Sequence, residues 1–194
     1  MSSERAAAFV PGHVTAFFSA HPADDPAAAG SRGAGAALSD GVTVRVSTPD
    51  GALDATAGDA TAGDGGANVG VTGVGDASDG TGSRTIDGES ASIGAVEDVL
   101  AELDAAGADV AVETDLPIGA GFGVSGAAAL GAALAANDAL DRGRTENELV
   151  RLAHAAEVGR GTGLGDVVAQ ARGGVPIRLE PGAPGVGELD GVPA

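Results

Sequence analysis

The chain is predicted to be an α+β domain, on three features of its sequence. Residues 41–47, GVTVRVS, set Val42, Val44 and Val46 against Thr43, Arg45 and Ser47, the period-two alternation of a half-buried strand. Residues 92–107, SIGAVEDVLAELDAAG, repeat Ile93, Val96, Leu100 and Leu103 at helical spacing, with Gly107 as the stop. A strand-like stretch, ADVAVET at 108–114, then runs through a proline and a set of glycines into an alanine-rich segment that reads as helix over 125–140.

The remaining elements follow the same rules. At the start, AAAFVPGHVTAFF is an apolar run interrupted by Pro11-Gly12, read as strand, turn, strand. Residues 50–88 are dominated by Gly, Asp, Ala and Thr; so little apolar area cannot offset the entropy of ordering, and the segment is expected to be a long acidic loop or irregular surface strands without chemistry. A helix is predicted from Thr145, whose hydroxyl caps while Glu148 reaches back in a capping box, to about Val158. The loop GRGTGLGD leads to a short helix, VVAQAR, and a last strand, VPIRLE; the tail at 181–194 is turn-rich and predicts no element. The organisation expected is therefore one domain over 1–180, carrying the acidic insert, and a tail.

Composition narrows the function. The 194 residues contain 28 acidic and 10 basic side chains, every basic one an arginine, for a formal charge of -18. Nucleic acid and anionic membrane are disfavoured as partners, because binding either depends on cationic side chains. A lysine-free, Asp-rich surface is that of a protein kept dispersed at high salt, and the composition is read as that of a salt-loving archaeon. Without cysteine there is no disulfide framework and no thiolate chemistry. No signal-like N-terminus or membrane-length apolar run occurs, so the expected location is the cytoplasm.

The stretch PIGAGFGVSGAAAL, 117–130, carries the chemistry. Unpaired N–H groups and the aligned peptide dipoles make a helix N-terminus an anion site, and glycines let the backbone wrap a phosphate. A Walker loop is excluded, since the chain has no lysine. The string GxGxxG occurs at Gly121, Gly123 and Gly126 with Asp141 about twenty residues on, which leaves a dinucleotide site open. Close packing of a glycine loop on an alanine helix is the alternative without a ligand.

The ordered set of motifs resembles the GHMP kinases, the superfamily of homoserine, mevalonate and galactose kinases. The glycine stretch is similar to that family's Pro-x-x-x-Gly-Leu-Gly-Ser-Ser-Ala phosphate loop from Pro117 to Ala127, and FVPGHV, 9–14, to its N-terminal Pro-Gly motif, with His13 at a position where a basic residue is common. The resemblance implies that ATP is bound at Pro117, Gly119, Gly121, Gly123, Ser125 and Gly126. Ser125 stands on the second serine of the motif, while Val124 replaces the first. It implies Mg2+ held by Ser125 and Glu157, and Asp166 as the base that takes the proton of the substrate hydroxyl.

Within the superfamily, PGHVTAFF, GSRGAGAALSDGV at 30–42, TGLGDVVAQ at 162–170 and GGVPIR at 173–178 are most similar to the archaeal pantoate kinases. That branch implies a small carboxylate-bearing alcohol as substrate. Arg178 and Arg32 are the candidates for its carboxylate, because an arginine fork suits one, with Ser31 and His21 as hydrogen-bonding groups. Another small-alcohol kinase of homoserine or mevalonate type, or a nucleotide-binding fragment without turnover, are the alternatives, and a homodimer is the candidate assembly. The family's third glycine motif and C-terminal ferredoxin-like domain have no counterpart here, so that domain is expected to be missing or truncated.

Overall fold

The structure is a computed structural model that describes residues 5–48, 71–72, 82–185 and 189–192. A mixed sheet carries helices on one face, as predicted. Two long strands dominate it: β1 (Arg5–His21) pairs antiparallel with β2 (Gly30–Ser47) along almost its whole length. β2 then serves two neighbours, pairing through residues 42–47 with β7 (Asp109–Thr114) and through Gly33 and Ala34 with β8 (Val175–Arg178).

Pro11-Gly12 does not break the first strand. The register shifts between Pro11 and His13, and again between Thr15 and Phe17, so the irregularity is absorbed by bulges. Proline lacks a donor, and an edge strand such as β1 tolerates that loss. His13 and Thr15, between the two irregularities, both reach Asp166 from this strand.

The acidic segment is not all surface loop. Residues 49–70 and 73–81 lie outside the described residues, whereas β3 (Val71–Thr72) pairs with β6 (Ser92–Ile93), and β4 (Arg84–Ile86) runs parallel to β7 and turns back through Asp87-Gly88 into β5 (Glu89–Ser90). Both turn residues have positive φ, 50° and 82°, the geometry a tight hairpin requires. Arg84 is buried, and its guanidinium donates to Glu97 and to the carbonyls of Ser83, Ala106 and Ala108 in the adjoining connections. In the predicted structureless tail, β9 (Leu189–Val192) pairs with β8. The sheet order is β5-β4-β7-β2-β8-β9, with β1 beside β2.

Four helices cover one face: α1 (Gly94–Glu102), α2 (Val124–Ala139), α3 (Glu146–Arg160) and α4 (Asp166–Arg172). Helix α1 stops short of Gly107. Asp104 takes the left-handed conformation at φ 50°, with Asp104 N–H donating to Ala101 O and Ala105 N–H to Leu100 O, a Schellman cap built on aspartate. Helix α2 is the central one and its buried residues are alanine and glycine apart from Val124 and Leu130. A Cβ on Gly131 would fall 2.7 Å from Val44 Cγ2, so the absence of side chain is what lets α2 lie against β2.

The core is Val42, Val44, Val46, Val110, Val112, Leu100, Leu130 and Leu149 filled in by the alanines of α2. The aromatics are not in it. Phe9, Phe17 and Phe18 are exposed, as are Val14, Val175, Ile177 and Leu179, all on or beside β1 and β8. Among the described residues no helix is long and apolar enough to cross a membrane.

Candidate functional site

The glycine loop bends back three times through left-handed glycines, Gly119, Gly121 and Gly123, with φ of 81°, 86° and 67°. Only glycine occupies that region at little cost, and the last of the three is the N-cap of α2. No side chain caps this helix, so its first-turn N–H groups stay available to an acceptor from outside. The loop is tied down from below by His13 N–H donating to Phe122 O at 2.9 Å.

Ser125, in the first turn of α2, does not cap. Its hydroxyl donates to Glu157 Oε1 at 2.5 Å. Glu157 is no solvated helix-end carboxylate either, being 3% exposed near the end of α3. Its backbone is held by the cap of that helix, where Thr162 donates to Glu157 O through both N–H, at 3.0 Å, and Oγ1, at 3.2 Å. Burial pushes its carboxyl above the ordinary value near 4.5, opposed by hydrogen bonds from the Ser125 and Thr162 hydroxyls and assisted by the charge of Asp166. Glycines crowd its free oxygen: a Cβ on Gly163 would fall 2.8 Å from Glu157 Oε2.

This donor set fits Mg2+. The ion takes few protein oxygens and completes its shell with phosphate and water, and here one carboxylate and one hydroxyl face the N-terminus of α2. No group of three or more His, Cys, Asp or Glu that could hold a metal by itself occurs among the described residues.

Asp166 begins α4 and makes no cap bond, the N-cap being Gly165. Its carboxylate accepts from His13 Nδ1 at 2.8 Å and from Thr15 Oγ1 at 3.4 Å. Asp166 lies against Gly123 and Glu157 against Gly126 and Ser125, so both carboxylates border the start of α2.

Beside Asp166 opens a cleft of about 280 Å³ with Ser31, Arg178, His13 and Thr15 as polar lining and Phe17, Phe18, Ala34, Ala169 and Pro176 as an apolar wall. Arg178 is buried on β8 and donates to Gly182 O at 2.8 Å and more weakly to Leu164 O at 3.4 Å. Burial draws its pKa down and the nearby Asp166 carboxylate draws it up. Gly165 leaves room for it, since a Cβ there would come within 2.4 Å of Arg178 Nη1 and 2.5 Å of Ser31 Oγ.

Two of the expected substrate groups are elsewhere. Arg32 follows Ser31 in β2, and the pleat that turns Ser31 inward turns Arg32 to the surface, where it pairs with Glu180 at 2.7 Å. His21 ends β1 against Ser19, 3.0 Å from its hydroxyl, and does not line the cleft. Asp141 is not a ribose ligand at the end of a second strand: it is the left-handed residue closing α2, φ 51°, with Arg142 N–H donating to Asn137 O.

Residues 91–174, which contain the loop, α2, α3 and α4, match the GHMP kinases N terminal domain. By this match the chain is similar to the GHMP kinases. The chain is 37% identical over 184 residues to the pantoate kinase of Thermococcus kodakarensis, which takes in 94% of this chain and 54% of that protein. Against the pantoate kinase of Methanospirillum hungatei it is 33% identical over 187 residues, 95% of this chain and 56% of the relative. Among solved structures, a phosphotransferase related to the CoA biosynthesis pathway aligns at TM-score 0.71 and 33% identity over 96% of this chain and 56% of that one. The chain spans about half the length of the curated relatives it matches.

Sequence reasoning passes over three residues beside this candidate site. Thr15 stands two residues after His13 in a strand, a spacing that puts both on one face. Gln170 stands four after Asp166, on the same face of α4. His154, one turn before Glu157, is buried and donates from Nε2 to Ala29 O at 2.8 Å; burial, first, and the neighbouring Arg178 charge hold its pKa down.

Proposed function

We propose that this domain provides the phosphate loop, base and acceptor pocket of a pantoate kinase, transferring the γ-phosphoryl group of ATP to the terminal hydroxyl of pantoate. The observation that carries the reading is a cleft in which Asp166, Ser31 and Arg178 converge, with Asp166 beside the Gly123 N-cap of α2. The first-turn amides and left-handed glycines hold the phosphates. Ser125 and Glu157 hold Mg2+, which when bound neutralises phosphate charge. Asp166, oriented by His13, accepts the proton of the attacking hydroxyl. The hydroxyl oxygen bonds to the γ-phosphorus as the bond to the β-γ bridging oxygen breaks and ADP leaves.

Arg178 and Ser31 receive the carboxylate of the acceptor, and the apolar wall of Phe17, Phe18, Ala169 and Pro176 receives its hydrocarbon. The similarity to two archaeal pantoate kinases supports this choice of acceptor over homoserine or mevalonate. The charge of -18 and the absence of lysine support an archaeal enzyme that works at high salt in the cytoplasm.

The test is ADP release from Mg·ATP in multimolar potassium chloride with pantoate, homoserine and mevalonate offered side by side. Release with pantoate alone, lost in Asp166→Ala, is the expected result. Equal release with all three acceptors would remove the substrate assignment, and no release beside intact nucleotide binding would reduce the domain to an ATP-binding unit.

A further inference from the structure

We propose that Gln170 is a positioning residue that couples the phosphate loop to the helix bearing Asp166. It is 2% exposed, and its Nε2 donates to Gly123 O at 2.8 Å. The same carbonyl accepts Ala127 N–H at 2.9 Å, the first intrahelical bond of α2. One side chain of α4 therefore holds the carbonyl on which α2 starts.

The contact is close on both sides. A Cβ on Gly123 would fall 2.8 Å from Gln170 Nε2 and 3.3 Å from Asp166 Cβ, so the left-handed turn of the loop leans on the Asp166–Gln170 face of α4. The amide orientation follows from chemistry, because the reversed amide would set two acceptors against each other. Its Oε1 is buried without a partner and points toward Gly126, where a Cβ would lie 3.2 Å from it and 3.7 Å from Glu157 Oε2.

An orphan buried acceptor is unfavourable, and leucine or methionine would fill this space without one. What the amide adds is its grip on Gly123. That grip fixes the first-turn amides of α2, Ser125 beside them and Asp166 on α4 in one frame, so that loop and base move together. The coupling is a property of the fold, while its catalytic meaning rests on the kinase reading above.

The experiment compares Gln170→Leu and Gln170→Glu with the natural chain, by backbone hydrogen exchange and by the Kd of Mg·ATP. In Gln170→Leu, exchange in residues 119–127 should quicken roughly tenfold with β7 and α3 unchanged, and the Kd should rise by about the same factor. A carboxylic acid donates only when protonated, so Gln170→Glu should regain loop protection, relative to the natural chain, as pH falls, and Gln170→Leu should not. Unchanged loop exchange, or equal quickening everywhere, would overturn the coupling in favour of simple packing. If Gln170→Leu does not fold, the pH response of Gln170→Glu decides alone. Loosening of the loop in a chain that never binds Mg·ATP would uphold the coupling and sink the kinase reading.

Discussion

Ser125 Oγ donates to Glu157 Oε1 at 2.5 Å, joining the first turn of α2 to the last turn of α3 across 32 residues of sequence. The bond holds a carboxylate where water does not reach it, and burial disfavours its charge; on the proposed function this pair is where Mg2+ would sit.

Replacing Glu157 by glutamine should therefore stabilise the protein and disable it. The folded pKa of Glu157 lies above its ordinary value near 4.5, so its contribution to stability is present below that value and is lost as pH rises through the folded pKa. Near neutral pH, Glu157→Gln should raise Tm by roughly 2–4 °C, the response of a chain of this size to about 1 kcal/mol. The gain should shrink toward pH 4.5, and turnover should fall at least roughly 100-fold through loss of the proposed metal ligand. Thermal melts across pH with paired kinetics check both arms; a Tm that drops at neutral pH contradicts the burial penalty.

Asp166→Asn keeps the size of the side chain and removes the proposed base. A fall in kcat of roughly 10²–10⁴ is expected with an unchanged KM for ATP. His13→Ala removes the 2.8 Å bond that orients Asp166 and should cost less, roughly tenfold in kcat. Steady-state kinetics at saturating ATP decides, and full activity in Asp166→Asn would leave the residue without a catalytic role.

The two arginines separate cleanly. Arg178→Lys loses the fork geometry in the cleft and should raise the acceptor KM roughly 10- to 100-fold. Arg32→Ala removes only an exposed pair with Glu180 and should change KM by less than about twofold. Equal effects would mean that the cleft is not the acceptor site.

His154 should make the fold sensitive to mild acid. Its folded pKa lies below its ordinary value near 6.5, so the unfolded chain takes up the proton first and stability declines as pH falls from about 6.5 toward the folded pKa. The limiting slope for one proton is about 1.4 kcal/mol per pH unit. Glu157 contributes with the opposite sign, so the comparison is between the natural chain and His154→Gln, by denaturant midpoints between pH 5 and 8. A slope that survives the substitution would assign the acid sensitivity to other groups.

Local chemistry was enough for much of the fold. Thr145 caps α3 with Glu148 reaching back, as the spacing predicts, and the strands at 41–47 and 108–114 lie side by side with their valines buried. The failures share a cause. Pro11 was read as a turn because a bulge needs a partner strand to exist, and Arg84–Ile86 became a strand only because β7 supplies its hydrogen bonds. Arg32 looked equivalent to Arg178 because composition does not record which way a pleat faces.

By itself the sequence determined the glycine loop, the helix it feeds and the oxygen-bearing residues that follow it, since turn freedom, capping and periodicity are written within a few neighbouring residues. Only the tertiary structure decided which of those oxygens meet. His13 and Asp166 stand 153 residues apart and Gly123 and Gln170 stand 47 apart. Contacts of that separation depend on how α2 and α4 settle on the two long strands, and packing of that kind is a property of the whole core.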